Sequence, residues 1–427
     1  MRRKAPLIAL LAALSAPTLV TATHLTDSLL NKVYNVMNEI SSASWENGTR
    51  AQAILESKYP DLSVFAQKAP LPLSSDMSSG SIPEIIDIAQ TTMENRPASS
   101  NNTASFNGST LLEDGAAGDP ASLGITVLIA NATTNNQQVN GVGYGAAATA
   151  ELNYLLNSVP KAPNGAISHR TDQAQLWSDS VYMVPPFLAY YGVMHNNQSL
   201  LQEAYQQCSL YRDTLRQDSG LWAHILLGTG THDPGLWATG NGWAMMGMLR
   251  VYATIKWSQY ADDMSSQTND LADWVQEIFK ASQQYITSDG LFHNYLDDTS
   301  SFKDTSSVAL YAATGFRLSQ LNITDAYTPN ATALLGAASS YVNSTGYLTQ
   351  VVNPYDFSKQ GGESAEGQSF MVMAYAAYKE WDSLGRKGVN TKDDPLGESS
   401  SAPARFGTGV GAGALALVLG VLGWTLV

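Results

Sequence analysis

Cysteine is almost missing from this chain of 427 residues: Cys208 is the only one. No intrachain disulfide can form, so stability must come from a large apolar core. Basic side chains are also scarce. The 23 Lys and Arg face 37 Asp and Glu, a formal balance of −14, which argues against nucleic acid as a partner. The sequence has no His-Glu-x-x-His, paired Cys-x-x-Cys, calcium loop, phosphate loop or Gly-x-Ser-x-Gly elbow, so metal, phosphoryl and serine-hydrolase chemistry lose support and no metal or cofactor is expected. Gly141-Val-Gly-Tyr-Gly-Ala146 has the loose spacing of a dinucleotide fingerprint but follows the polar stretch Thr133 to Asn140 rather than a hydrophobic strand. It reads as a glycine-rich entry to a helix.

The two ends are more informative. Arg2, Arg3 and Lys4 precede an apolar run from Leu7 to Leu14, with small residues near Thr21 to Thr23, which is the order of a secretory signal over residues 1–23. At the other end Ser399, Ser400 and Ser401 precede a spacer and an apolar tail over residues 410–427 that ends without a positive charge. A membrane span normally continues into Lys or Arg. The expectation is therefore a glycosylphosphatidylinositol anchor attached within 386–409, on a monomer at the outer face of the plasma membrane or in the cell wall. Eight Asn-x-Ser/Thr sequons, at Asn47, Asn101, Asn107, Asn131, Asn197, Asn322, Asn330 and Asn343, fit a eukaryotic secretory route and an organism with a wall, such as a fungus.

Residues 24–385 form one domain dominated by helical periodicity. Apolar residues at three- and four-residue spacing mark twelve helices: 25–40, 51–58, 83–93, 121–130, 145–156, 172–191, 200–215, 242–258, 270–286, 306–320, 331–342 and 364–381. A weak repeat pairs them. Asn164-Gly-Ala-Ile-Ser-His169, Ser219-Gly-Leu-Trp-Ala-His224, Asp289-Gly-Leu-Phe-His293 and Thr345-Gly-Tyr-Leu348 recur with one glycine per helical hairpin, each suited to a turn with positive φ. Six hairpins closing into an all-α (α/α)6 barrel is the expected fold, with His169, His224 and His293 gathered at one rim.

Within the segment Gln175 to Gly192 a single carboxylate, Asp179, stands among Trp177, Val181, Tyr182 and Met183. Loss of hydration there favours the neutral acid, which can donate a proton near neutral pH; the plainer reading is a helix cap or a water-facing residue. The run Gly235 to Arg250 carries Trp237, Gly240, Asn241, Gly242 and Trp243 at a helix entry. Glycines there let backbone approach a ligand, Trp237 can stack on a sugar ring, and Asn241 can reach its hydroxyls, whereas Trp243, inside the helix, reads as core. Asp297-Asp298 reads as a polar cap, and His24 and His195 as surface groups.

On four segments the chain resembles the unsaturated rhamnogalacturonyl hydrolases, glycoside hydrolase family 105: QLWSDSVYMVPPFLA at 175–189, WATGNGWAMMGML at 237–249, GLFHNYLDDTSSFKDTSS at 290–307 and VVNPYDFSKQGGESAEGQSFMVMAYAAY at 351–378. The resemblance implies the (α/α)6 barrel and an oligosaccharide substrate. The reaction it implies is hydration of the C4=C5 double bond of an unsaturated galacturonate at the non-reducing end of lyase-generated pectin fragments. It places the acid/base on Asp179 and a second aspartate on Asp119, whose plain reading is a helix cap before Pro120. It also implies a substrate-binding His224 and aromatic walls at Trp177 and Trp237. Where bacterial members commonly have an arginine for the substrate carboxylate, this chain has Thr239, which cannot supply that charge; Arg170, after His169, is the preferred substitute and Arg250 the other. Two other readings stand beside it: a glycosidase or transglycosidase acting on the organism's own wall, and a catalytically silent barrel that binds wall glycan.

Overall fold

The computed structural model describes residues 24–388 apart from 67–70, 72, 74–77, 98–106 and 136. The expected leader and tail, and the expected anchor region beyond residue 388, therefore lie outside the described residues. Among the described residues no helix is long and apolar enough to cross a membrane.

Apolar periodicity becomes α1 (Asp27–Ile40), α2 (Ser44–Lys58), α3 (Pro83–Glu94), α5 (Gly124–Thr133), α6 (Tyr144–Asn157), α7 (Ser180–Met194), α8 (Gln198–Leu215), α9 (Ala238–Lys256), α10 (Ser265–Ser282), α11 (Thr305–Gln320), α12 (Thr328–Ser339) and α13 (Ala365–Ser383), with a single turn, α4 (Gly118–Ala121), before α5. Helices α7, α9, α11 and α13 are buried on nearly every face, as befits an inner ring. The amphipathic α1, α8 and α10 expose one side. Packing runs α2, α4 and α5, α7, α9, α11 and α13, and α13 returns to α2 to close the ring. The fold is an (α/α)6 barrel of six hairpins, each an outer helix followed by an inner one.

The largest displacement of a helix start is at α7, expected from residue 172 and beginning at Ser180. Residues 172–179 are drawn out of α7 because β3 (Leu176–Trp177) pairs antiparallel with β4 (Ile225–Leu226) and Ser178 N donates to His224 O at 2.9 Å. Asp179 is therefore the residue at the helix start rather than inside it.

The glycine repeat has a physical origin. Gly165, Gly220, Gly290 and Gly346 all have φ between 80° and 98°, a conformation that side-chain-bearing residues rarely adopt. Each turn is closed by the same backbone bond, Gly165 N to Ala162 O, Gly220 N to Gln217 O, Gly290 N to Thr287 O and Gly346 N to Asn343 O. Four residues on, the carbonyl of His169, His224, Asn294 or Gln350 accepts from Ala117, Ser178, Ala238 or Thr305, respectively. Each of these donors sits at or just before the start of the preceding inner helix, whose first N–H groups lack helical partners. The repeat thus ties each hairpin to its neighbour and aligns the inner helix starts at one rim.

At the far end, Glu56 is shared by Arg250 and Arg317, all with fully buried side chains; Arg317 also reaches Glu380, and Arg250 reaches Gln52 at 2.8 Å. Both guanidinium groups lie on the Phe65 ring, at 5.0 and 4.8 Å. This network joins α2, α9, α11 and α13 across the interior. Arg250 is consumed there and is not a substrate-facing cation. Removing the shared carboxylate would leave the buried Arg250 without a carboxylate and Arg317 with Glu380 alone, so Glu56→Gln is expected to destabilise the fold by about 3–5 kcal/mol, measured as a fall in Tm; an unchanged Tm would contradict the account.

Candidate active site

At the rim where the inner helices begin, a cavity of about 250 Å³ opens. Every member of the inner ring contributes a side chain from its first turn or cap: Trp45 from α2, Asp119 from α4, Asp179 at the start of α7, Thr239 from α9, Ser306 from α11 and Glu366 from α13. His169, Arg170, Trp177, Trp237, Tyr355 and Phe357 complete much of the wall.

Asp119 and Asp179 face one another's charge. Burial first, then the Asp179 and Asp114 carboxylates, hold the Asp119 carboxyl well above the ordinary carboxylate range. Asp119 therefore keeps its proton at pH values where an isolated aspartate would have lost it. Asp179 makes no capping bond to its own helix, and its Oδ1 is buried without a hydrogen-bond partner. Asp119 is not a cap either: α4 begins one residue earlier, at Gly118. His169 Nε2 lies 3.9 Å from Asp119 Oδ1, and the imidazole stacks on Trp177 with centroids 4.5 Å apart. Burial pushes its pKa down to about 4, so it is a neutral ring at pH 7.

The remaining sequence candidates divide. Trp177, Trp237, Thr239 and Arg170 line the cavity with the aspartates and His169. Thr239 Oγ1 donates to the buried Asp304 at 2.7 Å. His224 is one layer back, walled by Trp177, Trp237 and Phe357, with Nδ1 2.9 Å from Asp233 Oδ2 and Nε2 buried and unpartnered. Burial opposes ionisation of Asp233, yet hydrogen bonds from His224 and Tyr295 bring its pKa below the usual value. Asn241 does not face the cavity: its amide accepts from Trp222 N and donates to the carbonyls of Trp222 and Trp237, so it holds a turn.

His293 is also displaced from the site. It lies in β5 (Phe292–His293) with Nδ1 2.7 Å from Ser301 O. The position equivalent to His169 and His224 is one residue later, Asn294, and neighbouring strand residues point to opposite sides. Asn294 Oδ1 accepts from Trp237 Nε1 at 3.0 Å. Trp243, read as core, is buried but forms part of the cavity floor beside Phe370. Asp298 is exposed and accepts from Ser300 in a turn; it does not line the cavity.

Sequence reasoning missed Trp45, Asp114, Ser306, Tyr355, Phe357 and Glu366. Glu366 is 6% exposed; burial first, then the Glu46 charge, pushes its pKa up to about 7. Its two oxygens accept from Trp45 Nε1 at 2.7 Å and Ser364 Oγ at 2.9 Å. Its one legible signal was a carboxylate near the start of a strongly apolar helix, the same pattern that marked Asp179. Tyr355 and Phe357 come from the hairpin of β7 (Val351–Asn353) and β8 (Asp356–Gly361), whose short strands carry little periodicity. Among the described residues no group of three or more His, Cys, Asp or Glu side chains is arranged to hold a metal ion.

The model of Glycosyl Hydrolase Family 88 matches residues 84–364. Among curated proteins none matches the chain. Similar solved structures include a possible member of the GH105 family from Salmonella enterica serovar Paratyphi A, with TM-score 0.63 and 16% identity over 83% of this chain and 94% of that one. A glycosyl hydrolase family 88 protein from Bacteroides vulgatus gives TM-score 0.59 and 14% identity, covering 83% and 99%. The unsaturated glucuronyl hydrolase of Bacillus sp. GL1, described as responsible for the degradation of glycosaminoglycan, gives 0.50 and 13%, covering 82% and 94%. At such identities these structures speak to the barrel alone, and they carry both family numbers. The family model covers more than half of the sequence, from α3 through the rim segments to Ser364 before α13, and on that ground the chain belongs to glycosyl hydrolase family 88 and is a glycoside hydrolase.

Proposed function

We propose that the enzyme releases an unsaturated uronic acid from the non-reducing end of lyase-generated oligosaccharides, those of pectin and rhamnogalacturonan in particular. The observation that carries this is the meeting of two carboxyls, Asp119 with its raised pKa and Asp179 with an unpartnered buried oxygen, in a cavity that opens at the barrel rim and has room for about one sugar ring. Asp179, with one carboxylate oxygen uncommitted, gives the proton to C4 of the C4=C5 enol ether. Positive charge develops on C5 and the ring oxygen; water adds at C5 and returns its proton to the carboxylate pair. The C5 hemiketal opens to a ketone and leaves a hemiacetal at C1, which expels the second sugar as an alcohol. One water is consumed and the acid is regenerated.

Arg170, on the Asp119 side of the cavity, is the cation assigned to the substrate carboxylate, since Thr239 is occupied by Asp304. Trp177 and Trp237 present indole faces for the ring's C–H groups. The leader and tail read from the sequence support placement outside the cell on a lipid anchor.

Unsaturated oligogalacturonides and rhamnogalacturonides incubated with the soluble barrel should lose the ultraviolet absorption of the conjugated double bond. Asp179→Asn is expected to slow this by about 10²–10⁴-fold, the usual contribution of a positioned acid/base; decay at the wild-type rate would reject the assignment. For pH, the sign follows from the raised Asp119 carboxyl, whose proton is held above the ordinary carboxylate range and lost only as pH rises through that raised value. Asp119→Asn removes this carboxyl, so whatever activity remains should fail at lower pH than in the wild type, an alkaline limb displaced downward. A limb that stays in place would show that the two carboxyls do not act together.

A further inference from the structure

The rim repeat puts Asp179, Thr239 and Ser306 in one structural position: each follows the residue whose N–H is taken by the carbonyl four places after a turn glycine. Thr239 has a partner in Asp304. Ser306 does not: it is fully buried and lines the cavity, and its hydroxyl has no hydrogen-bond partner. A buried hydroxyl left unpaired carries an unrecovered desolvation penalty, which a ligand arriving in the cavity would recover.

Glu366 is its neighbour across Gly367, where an added Cβ would lie 2.8 Å from Ser306 Oγ. After the bonds from Trp45 and Ser364, each oxygen of Glu366 keeps a free lone pair. Behind Ser306 lies Asp304, which takes Ser306 N at 3.0 Å. This α11–α13 wall therefore offers acceptors, a hydroxyl and negative charge. Among the described lining residues Arg170 is the one cation, and it belongs to the opposite wall through its bridge to Ala116 beside Asp119.

We propose that Ser306 and Glu366 are the specificity-determining pair of the cavity, reading two adjacent free hydroxyls of the bound ring and rejecting a ring that carries sulfate at that edge. The inference rests on the uronate reading above. If C4, C5 and the carboxylate face Asp179 and Arg170, then C2, which lies across the ring from C5, and C3 beside it face this wall. Two vicinal O–H groups can donate to Glu366 while Ser306 completes the second oxygen. A 2-O-sulfate would instead set a full negative charge against Glu366 and Asp304 with no cation to meet it.

The test uses the soluble barrel with unsaturated uronyl disaccharides that differ only in 2-O-sulfation. Hydrolysis by the wild type, followed through the double bond, examines the uronate reading; binding to Asp179→Asn by calorimetry examines the pair without requiring turnover. The unsulfated disaccharide is expected to bind at least about tenfold more tightly than its 2-O-sulfated form, the worth of one hydrogen bond to a charged group, and Glu366→Gln to narrow that ratio. Ser306→Ala is expected to weaken the unsulfated sugar while leaving Tm unchanged or raised, because the lost hydroxyl had no protein partner. Equal affinity for the two sugars, or a Ser306→Ala variant that binds as the parent does, would overturn the proposal. Selective binding without any loss of the double bond would keep the pair and overturn the uronate hydrolase reading.

Discussion

The backbone bond from the fourth residue after each turn glycine to the start of the preceding inner helix is the constraint on which the site depends. An inner helix start has N–H groups that its own ladder cannot satisfy. By taking one of them with a carbonyl from the next hairpin, the chain fixes both the height of the helix and the register of its neighbour. Four repetitions bring the helix starts to a common level, and only then do side chains far apart in sequence, Asp119 and Glu366 among them, meet round one cavity.

That geometry also explains how so acidic a cavity can exist. Asp114, Asp119, Asp179 and Glu366 all line it, and in bulk solvent each would be ionised. Here the positive ends of α7, α9, α11 and α13 point toward the same space and partly offset the carboxylates. Burial does the rest by favouring the neutral form, most of all at Asp119, which keeps its proton. The opposite polarity appears at the other end, where Arg250 and Arg317 meet Glu56 and Glu380 in the C-terminal halves of their helices.

How much of this could be read from the residues alone depended on range. The helices were legible because apolar spacing is a local property, and the hairpin pairing because the turn glycines need positive φ. Asp179 stood out against its apolar neighbours. The start of α7 was misplaced because strand pairing with Ile225 and Leu226, some fifty residues away, overrides local helix periodicity. His293 was read on residue type, but the place equivalent to His169 and His224 falls to Asn294, which holds the Trp237 indole from behind the cavity wall. Arg250 looked available until Glu56, from α2, was seen to claim it, and Asn241 until its amide was found holding Trp222. Trp45, Tyr355 and Ser306 were passed over for the same reason: Trp45 meets Glu366 and Tyr355 from the other end of the domain, and Ser306 gains its meaning only where α11 meets α13.

The Glu56–Arg250–Arg317 network has a consequence for traffic through the barrel. Because it lies across the interior, the axis is a blind well and not a tunnel. On the reading proposed above, a glycan strand is not threaded through and trimmed in passing; it enters by its terminus, and whatever is cut off backs out past the entrance it used. Each turnover therefore ends with the site emptied, and the enzyme meets the next terminus as a fresh encounter.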